Sequence, residues 1–256
     1  MNGTLPLLRL RAQEIYRTWR IWALPAIMVL LAAASAALAR FTNEILASAL
    51  AGEAGAIALP DPTAADSYAQ WTKTLTQIIV LVVIVMAAGA VNSEVRSGVA
   101  AIILVKPASR TAYVLTHALA LVTLVAVSAL AGAGVSWLAT QVFFGPSHIG
   151  PVLGATAVWV VLATVLISAS LLASATIDAV AGAAGIGIGV YFALAILGVI
   201  PQLAEYTPAG LTQVANAVAV GTQSSDHTLW WPLGTSLLLT GALLTATVLA
   251  FRRAEI

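Results

Sequence analysis

Six long apolar stretches, separated by shorter polar ones, dominate the pattern of hydrophobic and polar positions along the chain. None of the six contains Asp, Glu, Lys or Arg. A helix needs roughly 17 to 25 mostly apolar residues to cross a hydrocarbon core of about 30 Å. The pattern therefore predicts six transmembrane helices, at residues 22–39, 74–93, 112–142, 152–177, 183–200 and 232–251.

The third stretch and the segments between stretches leave some local structure open. The third stretch exceeds a straight crossing, so it is expected either to tilt or to break near Gly132 and Gly134. The 40–73 segment is expected to pack on the membrane face. In the 201–231 segment, residues 211–220 are predicted to form a short helix that either dips towards the bilayer or lies on its surface.

Composition confirms the membrane class and excludes several others. The chain has 256 residues, of which 61% are hydrophobic and 8% charged, whereas soluble domains carry about 45 to 50% apolar and about 25% charged residues. It has no cysteine, which excludes disulfides, thiolate metal sites and a cysteine nucleophile. A net charge of +1 provides no basic excess for binding nucleic acid.

The basic residues between the spans predict the orientation of the chain. With the N-terminus inside, only Arg40 and Lys73 fall on the outer side. An excess of basic residues marks the cytoplasmic side of a membrane protein. Both termini are therefore predicted to be cytoplasmic, in a multi-pass protein of the plasma membrane. The basic residues on the inner side are Arg9, Arg11, Arg17, Arg20, Arg96, Lys106, Arg110, Arg252 and Arg253.

Residues 1–21 have the pattern of an amphipathic helix at the membrane interface. Apolar side chains recur at helical spacing, with the arginines largely on the other faces. Those apolar residues are Leu8, Ala12, Ile15 and Trp19, continuing to Trp22. The simpler alternative is a basic leader that only sets the orientation.

The spans carry no chemistry for catalysis or ion coupling. An ion-coupled carrier normally holds its ion on an ionisable group within the membrane, and these stretches contain no carboxylate. No HExxH, GxSxG or P-loop pattern is present. The sequence therefore predicts that the chain is not an enzyme and binds no cofactor or metal of its own, and that any energy comes from another polypeptide.

The polar segment between the second and third spans is the candidate for receiving that energy. It presents a short apolar face at Val99, Ile102 and Ile103, and Pro107 then ends or kinks the helix. A short helix followed by a turn is thus predicted at the cytoplasmic surface. The alternative is an ordinary charged connector. The residues chosen for a docking role are Glu94, Arg96, Gly98, Pro107, Ser109 and Arg110.

This segment resembles the signature region of ABC transporter permeases of the type-2 family. That region runs from an acidic residue through a glycine four positions on and an apolar helix to a Pro-x-Ser-Arg turn. The likeness extends to the basic leader, the six spans and the Arg252, Arg253 ending, although many relatives have Lys where this chain has His117. The residues that fit in order are Glu94, Gly98, Pro107, Ser109, Arg110 and Tyr113.

The resemblance implies an architecture and a set of partners. The 94–110 loop would be a coupling helix that docks on a separate nucleotide-binding ATPase, which would bind the ATP and Mg. Two permease chains would pair, with the substrate path between them.

Asp178 is predicted to cap the fifth span and is a candidate second contact for the ATPase. Gly185 and Gly189 are predicted to allow close helix packing, within the chain or against the second permease.

Together these observations predict an all-α integral membrane protein, with residues 1–256 forming a single transmembrane permease domain. The predicted function is export of a lipophilic or amphipathic compound, driven by a partner ATPase. Inner hydroxyls of the fourth span, such as Ser168, Ser170 and Ser174, either line a polar path or bond their own helix. Two other functions stay open, a membrane-embedded assembly subunit and a channel without an ATPase partner.

Overall fold

The computed structural model describes residues 20–49, 60–96, 110–222 and 226–253, and every regular element in these ranges is a helix. Six of the helices are long and apolar enough to cross a membrane. The prediction of six spans is confirmed. The predicted leader lies outside the described residues, apart from Arg20 and Ile21, which begin the first helix.

The described helices follow one another along the chain. They are α1 (Arg20–Ala49), α2 (Ala64–Thr74), a π-helical turn (Leu75–Ile79), α3 (Val80–Arg96), α4 (Arg110–Phe144), α5 (Gly150–Thr176), α6 (Val180–Leu197), α7 (Pro201–Tyr206), a 3-10 turn (Pro208–Gly210), α8 (Leu211–Val220) and α9 (Asp226–Arg253). The α2 helix, the π-helical turn and α3 together form the second span.

The second span begins ten residues earlier than the apolar pattern predicts. Thr63 and Asp66 form a capping box, in which each side chain satisfies a main-chain amide of the other. The added turns bury Tyr68 and Trp71, and the Ser67 hydroxyl is 2.7 Å from that of Thr140. The expectation that all of residues 40–73 pack on the membrane face is therefore wrong for 64–73, because tertiary contacts stabilise this polar start as a helix.

The third span is continuous. The α4 helix runs from Arg110 to Phe144 without a break at Gly132 or Gly134, so the expected break is not found. At 1.5 Å per residue the helix is on the order of 50 Å long, which exceeds the hydrocarbon thickness. It must tilt or extend beyond the membrane.

The fourth span forms the centre of the bundle. The α5 helix packs against α3, α4, α6, α8 and α9, and 61% of the most apolar stretch of the second and fourth spans is buried. The fifth and sixth spans have only 17% of that stretch buried. They leave wide apolar faces for lipid or for another chain.

The predicted short helix at 211–220 is present as α8. One apolar face is buried against the bundle, through Leu211, Val214, Ala215 and Ala219. The helix packs on α5 and α2, and a Cβ added at Gly154 of α5 would lie 2.9 Å from the Val218 side chain. The helix therefore packs within the bundle, beside the start of α5.

A π-helical turn interrupts the second span at Leu75–Ile79. Such turns shift the register of the helix that follows and leave its carbonyls less regularly bonded. The Tyr191 hydroxyl of α6 donates to the main-chain carbonyl of Thr76 inside this turn. The fifth span is thereby attached to the irregular part of the second.

Removing this hydroxyl is expected to weaken the bundle modestly. Hydrogen bonds between membrane helices contribute about 0.6 kcal/mol on average, so Tyr191→Phe should lower the thermal unfolding midpoint of the purified chain slightly. Tyr206→Phe, at an exposed tyrosine, is the matched control and should leave the midpoint unchanged. Equal midpoints for both variants and the unmodified chain would contradict a stabilising role for the Tyr191 bond.

Candidate coupling site

Three of the candidate docking residues, Glu94, Arg96 and Arg110, lie at one end of the bundle, where the second span ends and the third begins. Glu94 lies in the last turn of α3, which ends at the exposed Arg96. A basic residue in the last turn complements the negative end of the helix dipole. Gly98, Pro107 and Ser109 lie outside the described residues. Their predicted docking role stays a prediction.

Arg110 begins α4 and bonds the end of the last span. Its guanidinium Nη1 donates to the main-chain carbonyls of Phe251 at 3.0 Å and Arg252 at 2.9 Å. The last carbonyls of a helix have no partner within the helix, and a cation there also complements the dipole. Arg110 thus holds the C-terminal turn of α9 against the start of α4. Sequence reasoning chose this residue but did not find these partners.

An aromatic cluster lies next to Arg110, formed by two residues that follow it along α4 and one residue of α9. The rings of Tyr113 and Phe251 stack in parallel, with centroids 5.1 Å apart, and His117 meets Tyr113 edge to face at 4.8 Å. All three side chains are buried. Arg252 also donates to the Thr111 hydroxyl at 2.9 Å. The start of the third span and the end of the sixth are therefore packed as one unit, with His117 inside it.

Asn92 makes the corresponding contact on the other side of the segment. It is buried near the end of α3, and its Nδ2 donates to the main-chain carbonyl of Ile177 at 2.5 Å. Ile177 is the C-terminal cap residue of α5. The amide N–H of Asn92 donates to the Ser174 hydroxyl at 3.0 Å. Sequence reasoning missed this residue, although an Asn in an otherwise apolar span was an available signal.

Residues 6–220, which include the whole 94–110 segment, match the family model described as ABC-2 family transporter protein. The chain belongs to this family. A comparison with curated proteins finds no match. The resemblance inferred from the sequence is thus confirmed, and the chain is an ABC-2 type permease.

Asp178 of the permease lies beside the Asn92 contact. It is exposed and directly follows Ile177, so it lies at the same end of the bundle as Glu94. The prediction that it caps the fifth span is wrong, because the cap residue of α6 is Ala179 and no side chain bonds the cap amides. The α6 helix begins one residue later than a cap at Asp178 requires. Its role as a second ATPase contact stays a prediction.

The glycines of the fifth span divide into two kinds. A Cβ added at Gly187 would lie 2.5 Å from the Ser170 hydroxyl and 2.6 Å from a methyl group of Ile84. Gly185 and Gly189 have no atom of the described chain within 4 Å of such a Cβ. Close packing within the permease is therefore found at Gly187 and not at these two. Packing of Gly185 and Gly189 against a second chain stays a prediction.

The inner hydroxyls of the fourth span belong to the interior of the bundle. Ser168 donates to the Thr164 carbonyl within its own helix, Ser170 is buried against Gly187, and Ser174 accepts from Asn92. The alternative that these three serines line a polar path is wrong for a single chain, because all three are buried. Ser168 satisfies its own backbone and Ser174 joins a neighbouring helix, whereas the buried Ser170 hydroxyl has no hydrogen-bond partner among the described residues.

Proposed function

We propose that this permease is the membrane subunit of an ATP-driven exporter, energised by a separate ATPase that docks on the 94–110 segment. The family match over residues 6–220 carries the proposal. ABC-2 permeases usually work with an ATPase partner, and the sequence contains no P-loop for binding nucleotide itself. ATP and Mg would then bind to the partner.

The geometry of the coupling site supports docking at this end of the bundle. Arg96 and Asp178 are exposed, and the Asn92 bond to Ile177 brings their helix ends together. Charged residues of both signs are therefore presented near one another. Such groups provide specificity and orientation when a partner binds. We assign the first contact to the 94–110 segment and a second contact to Asp178.

We also propose that the coupling site and both termini face the cytoplasm, in the plasma membrane. If each of the six described apolar helices crosses the membrane once, the two ends of the chain and the 94–110 segment share one side. Nine of the eleven basic residues fall on that side. The bias towards basic residues on the cytoplasmic side supports this orientation, which also places the segment where ATP is present.

The transporter is proposed to contain two permease chains and to carry a lipophilic or amphipathic compound. The exposed apolar faces of the fifth and sixth spans suit a second chain. A groove of about 590 Å³ opens between the first and second spans, and its lining is almost wholly apolar. An uncharged, apolar lining favours apolar ligands. The lining residues include Leu24, Ile27, Leu81, Val82, Val85 and Met86.

Substitution of Glu94 tests the docking site. Truncating one member of a buried interfacial charge pair costs about 2 to 5 kcal/mol, which corresponds to roughly thirtyfold weaker binding or more. We expect Glu94→Ala to insert into the membrane normally but to lose its ATPase on purification. The measurement is the ratio of ATPase to permease, by mass spectrometry, after gentle purification of the tagged permease from native membranes.

Glu44→Ala is the matched control. Glu44 is an exposed acid near the C-terminal end of α1, away from the 94–110 segment. Its loss should leave the ratio of ATPase to permease unchanged. A Glu94→Ala permease that retains its ATPase as the unmodified chain does would show that Glu94 is not a docking residue. If the unmodified permease brings no ATPase in a detergent that preserves known transporter complexes, the ATP-driven mechanism itself is wrong.

A further inference from the structure

Two polar residues bracket the predicted coupling segment, and both bond the ends of other helices. Asn92 lies near the end of α3, where the chain enters residues 97–109, and Arg110 is the first described residue after them. Each donates to main-chain carbonyls at the C-terminal end of a different span, the fourth and the sixth. Such carbonyls need partners from outside their own helix.

The Asn92 contact joins the second and fourth spans in a water-poor place. The side chain is only 3% exposed, and its neighbour Ser174 is buried as well. A buried polar group that loses its partner carries the cost of desolvation without compensation. The contact is therefore kept in one geometry. The contact therefore joins the end of α3 to the end of α5.

The Arg110 contact joins the third and sixth spans by three kinds of interaction. The guanidinium bonds two successive carbonyls of α9, Tyr113 stacks on Phe251, and Arg252 donates to Thr111. A planar, permanently charged guanidinium suits such a multiple contact better than a flexible ammonium does. The start of α4 and the end of α9 are therefore held together.

We propose that Asn92 and Arg110 are positioning residues that connect the coupling segment to the fourth and sixth spans. The inference rests on the proposed function, because it assumes that an ATPase moves residues 97–109. Covalent connection alone would transmit that movement to the second and third spans. The two contacts extend it to four of the six spans. Arg110 then acts inside the permease, rather than as an ATPase contact as its place in the docking set predicts.

Spin labels in the purified complex test the Arg110 contact. The natural chain has no cysteine, so Leu115→Cys and Leu249→Cys introduce two labelling sites in each permease chain, both exposed, on α4 and α9. The complex is purified with its native ATPase in lipid nanodiscs. Distances between the labels are measured by electron paramagnetic resonance, without nucleotide and after trapping with MgATP and orthovanadate.

With Arg110 present, we expect a narrow distribution of distances, because the two helix ends move as one unit in both states. In Arg110→Ala the distribution should broaden more after trapping than without nucleotide, because the coupling segment then moves α4 without α9, while the ATPase remains bound at the ratio of the unmodified complex. Arg110→Lys, which keeps the charge and a single donor nitrogen, should recover part of the narrow distribution. Arg40→Ala is the control, since it removes an exposed arginine of α1 and leaves the Arg110 and Arg252 bonds in place, so the distribution should stay narrow.

The corresponding pair for Asn92 uses labels at Ser93 and Thr176, both exposed. Asn92→Ala should broaden the distance between them. Gly89→Ala is the neighbouring control, because the nearest atom to its added Cβ is at an ordinary contact distance of 3.8 Å. An unchanged distribution in Asn92→Ala would overturn the inference at this contact.

Two results would overturn the inference at Arg110. One is loss of the ATPase from Arg110→Ala, which would make Arg110 a direct docking residue. The other is an unchanged distribution of distances in that variant. Failure of the proposed function would be seen before any distance is measured, because the unmodified permease would then bring no ATPase on purification. The coupling role would fall with it, whereas the label distances without nucleotide would still test the contact between α4 and α9.

Discussion

A single added methyl group at Gly132 is expected to destabilise the permease strongly. The Cβ of an alanine there would lie 2.7 Å and 2.9 Å from the Cη2 and Cζ2 atoms of Trp71. Trp71 is fully buried, and its Nε1 donates to the Thr156 hydroxyl at 3.1 Å, so the ring has little freedom to retreat. Overpacking of this kind costs about 1 to 3 kcal/mol. The measurement is the thermal unfolding midpoint of Gly132→Ala in detergent, compared with the unmodified chain.

Gly134→Ala is a closely matched control for this substitution. It lies two residues further along the same helix, and no described atom is within 4 Å of the added Cβ. Alanine stabilises a helix interior by roughly 0.5 to 1 kcal/mol relative to glycine, so the midpoint should stay or rise. A fall as large as that of Gly132→Ala would mean that helix geometry, and not the Trp71 contact, controls both sites.

A second substitution separates the steric cause from others. The Cη2 and Cζ2 atoms belong to the outer part of the indole ring, which phenylalanine lacks. Trp71→Phe destabilises by itself, but combined with Gly132→Ala it should cost less than the sum of the two single effects. Residues in contact show this kind of non-additivity, whereas distant ones do not. Additive effects would contradict a direct clash.

The sequence predicted the number of spans because charge is excluded from the hydrocarbon core. Six uncharged apolar stretches therefore mark six helices, whatever their packing. It could not place the start of the second span, because residues 64–73 contain Asp66 and Lys73 and carry no apolar signal. That part is helical because a capping box starts it and the bundle buries Tyr68 and Trp71.

In the coupling site, too, the residue pattern predicted the segment but not its tertiary contacts. The order of Glu94, Gly98, Pro107 and Arg110 was sufficient to find the segment and its family. The partners of Arg110 are main-chain carbonyls 141 and 142 residues away. Every residue has a main-chain carbonyl, so the sequence does not indicate which carbonyl accepts the bond. Side-chain partners such as Phe251 could not be predicted either, because an aromatic residue within an apolar span does not indicate which residue it contacts.

The fifth span carries the second large prediction, which separates packing within the permease from packing between chains. Gly187→Ala places a Cβ against the Ser170 hydroxyl and Ile84, both fully buried. Overpacking here is expected to cost about 1 to 3 kcal/mol and to lower the unfolding midpoint of the isolated chain. Gly189→Ala on the same helix has open space around the added Cβ, so it should leave that midpoint unchanged or raise it.

Leucine at the open glycines tests the proposed second permease. Small residues let two membrane helices approach closely, so Gly185→Leu and Gly189→Leu should lower the fraction of paired permease while the unfolding midpoint of the single chain stays high. The paired fraction is measured by mass photometry of the complex in nanodiscs. Gly187→Ala should instead lower the unfolding midpoint of the single chain, and any effect on the paired fraction should be secondary to that. If neither leucine variant alters the paired fraction, the seam lies on another face, because a bulky side chain could not fit between helices held at glycine distance.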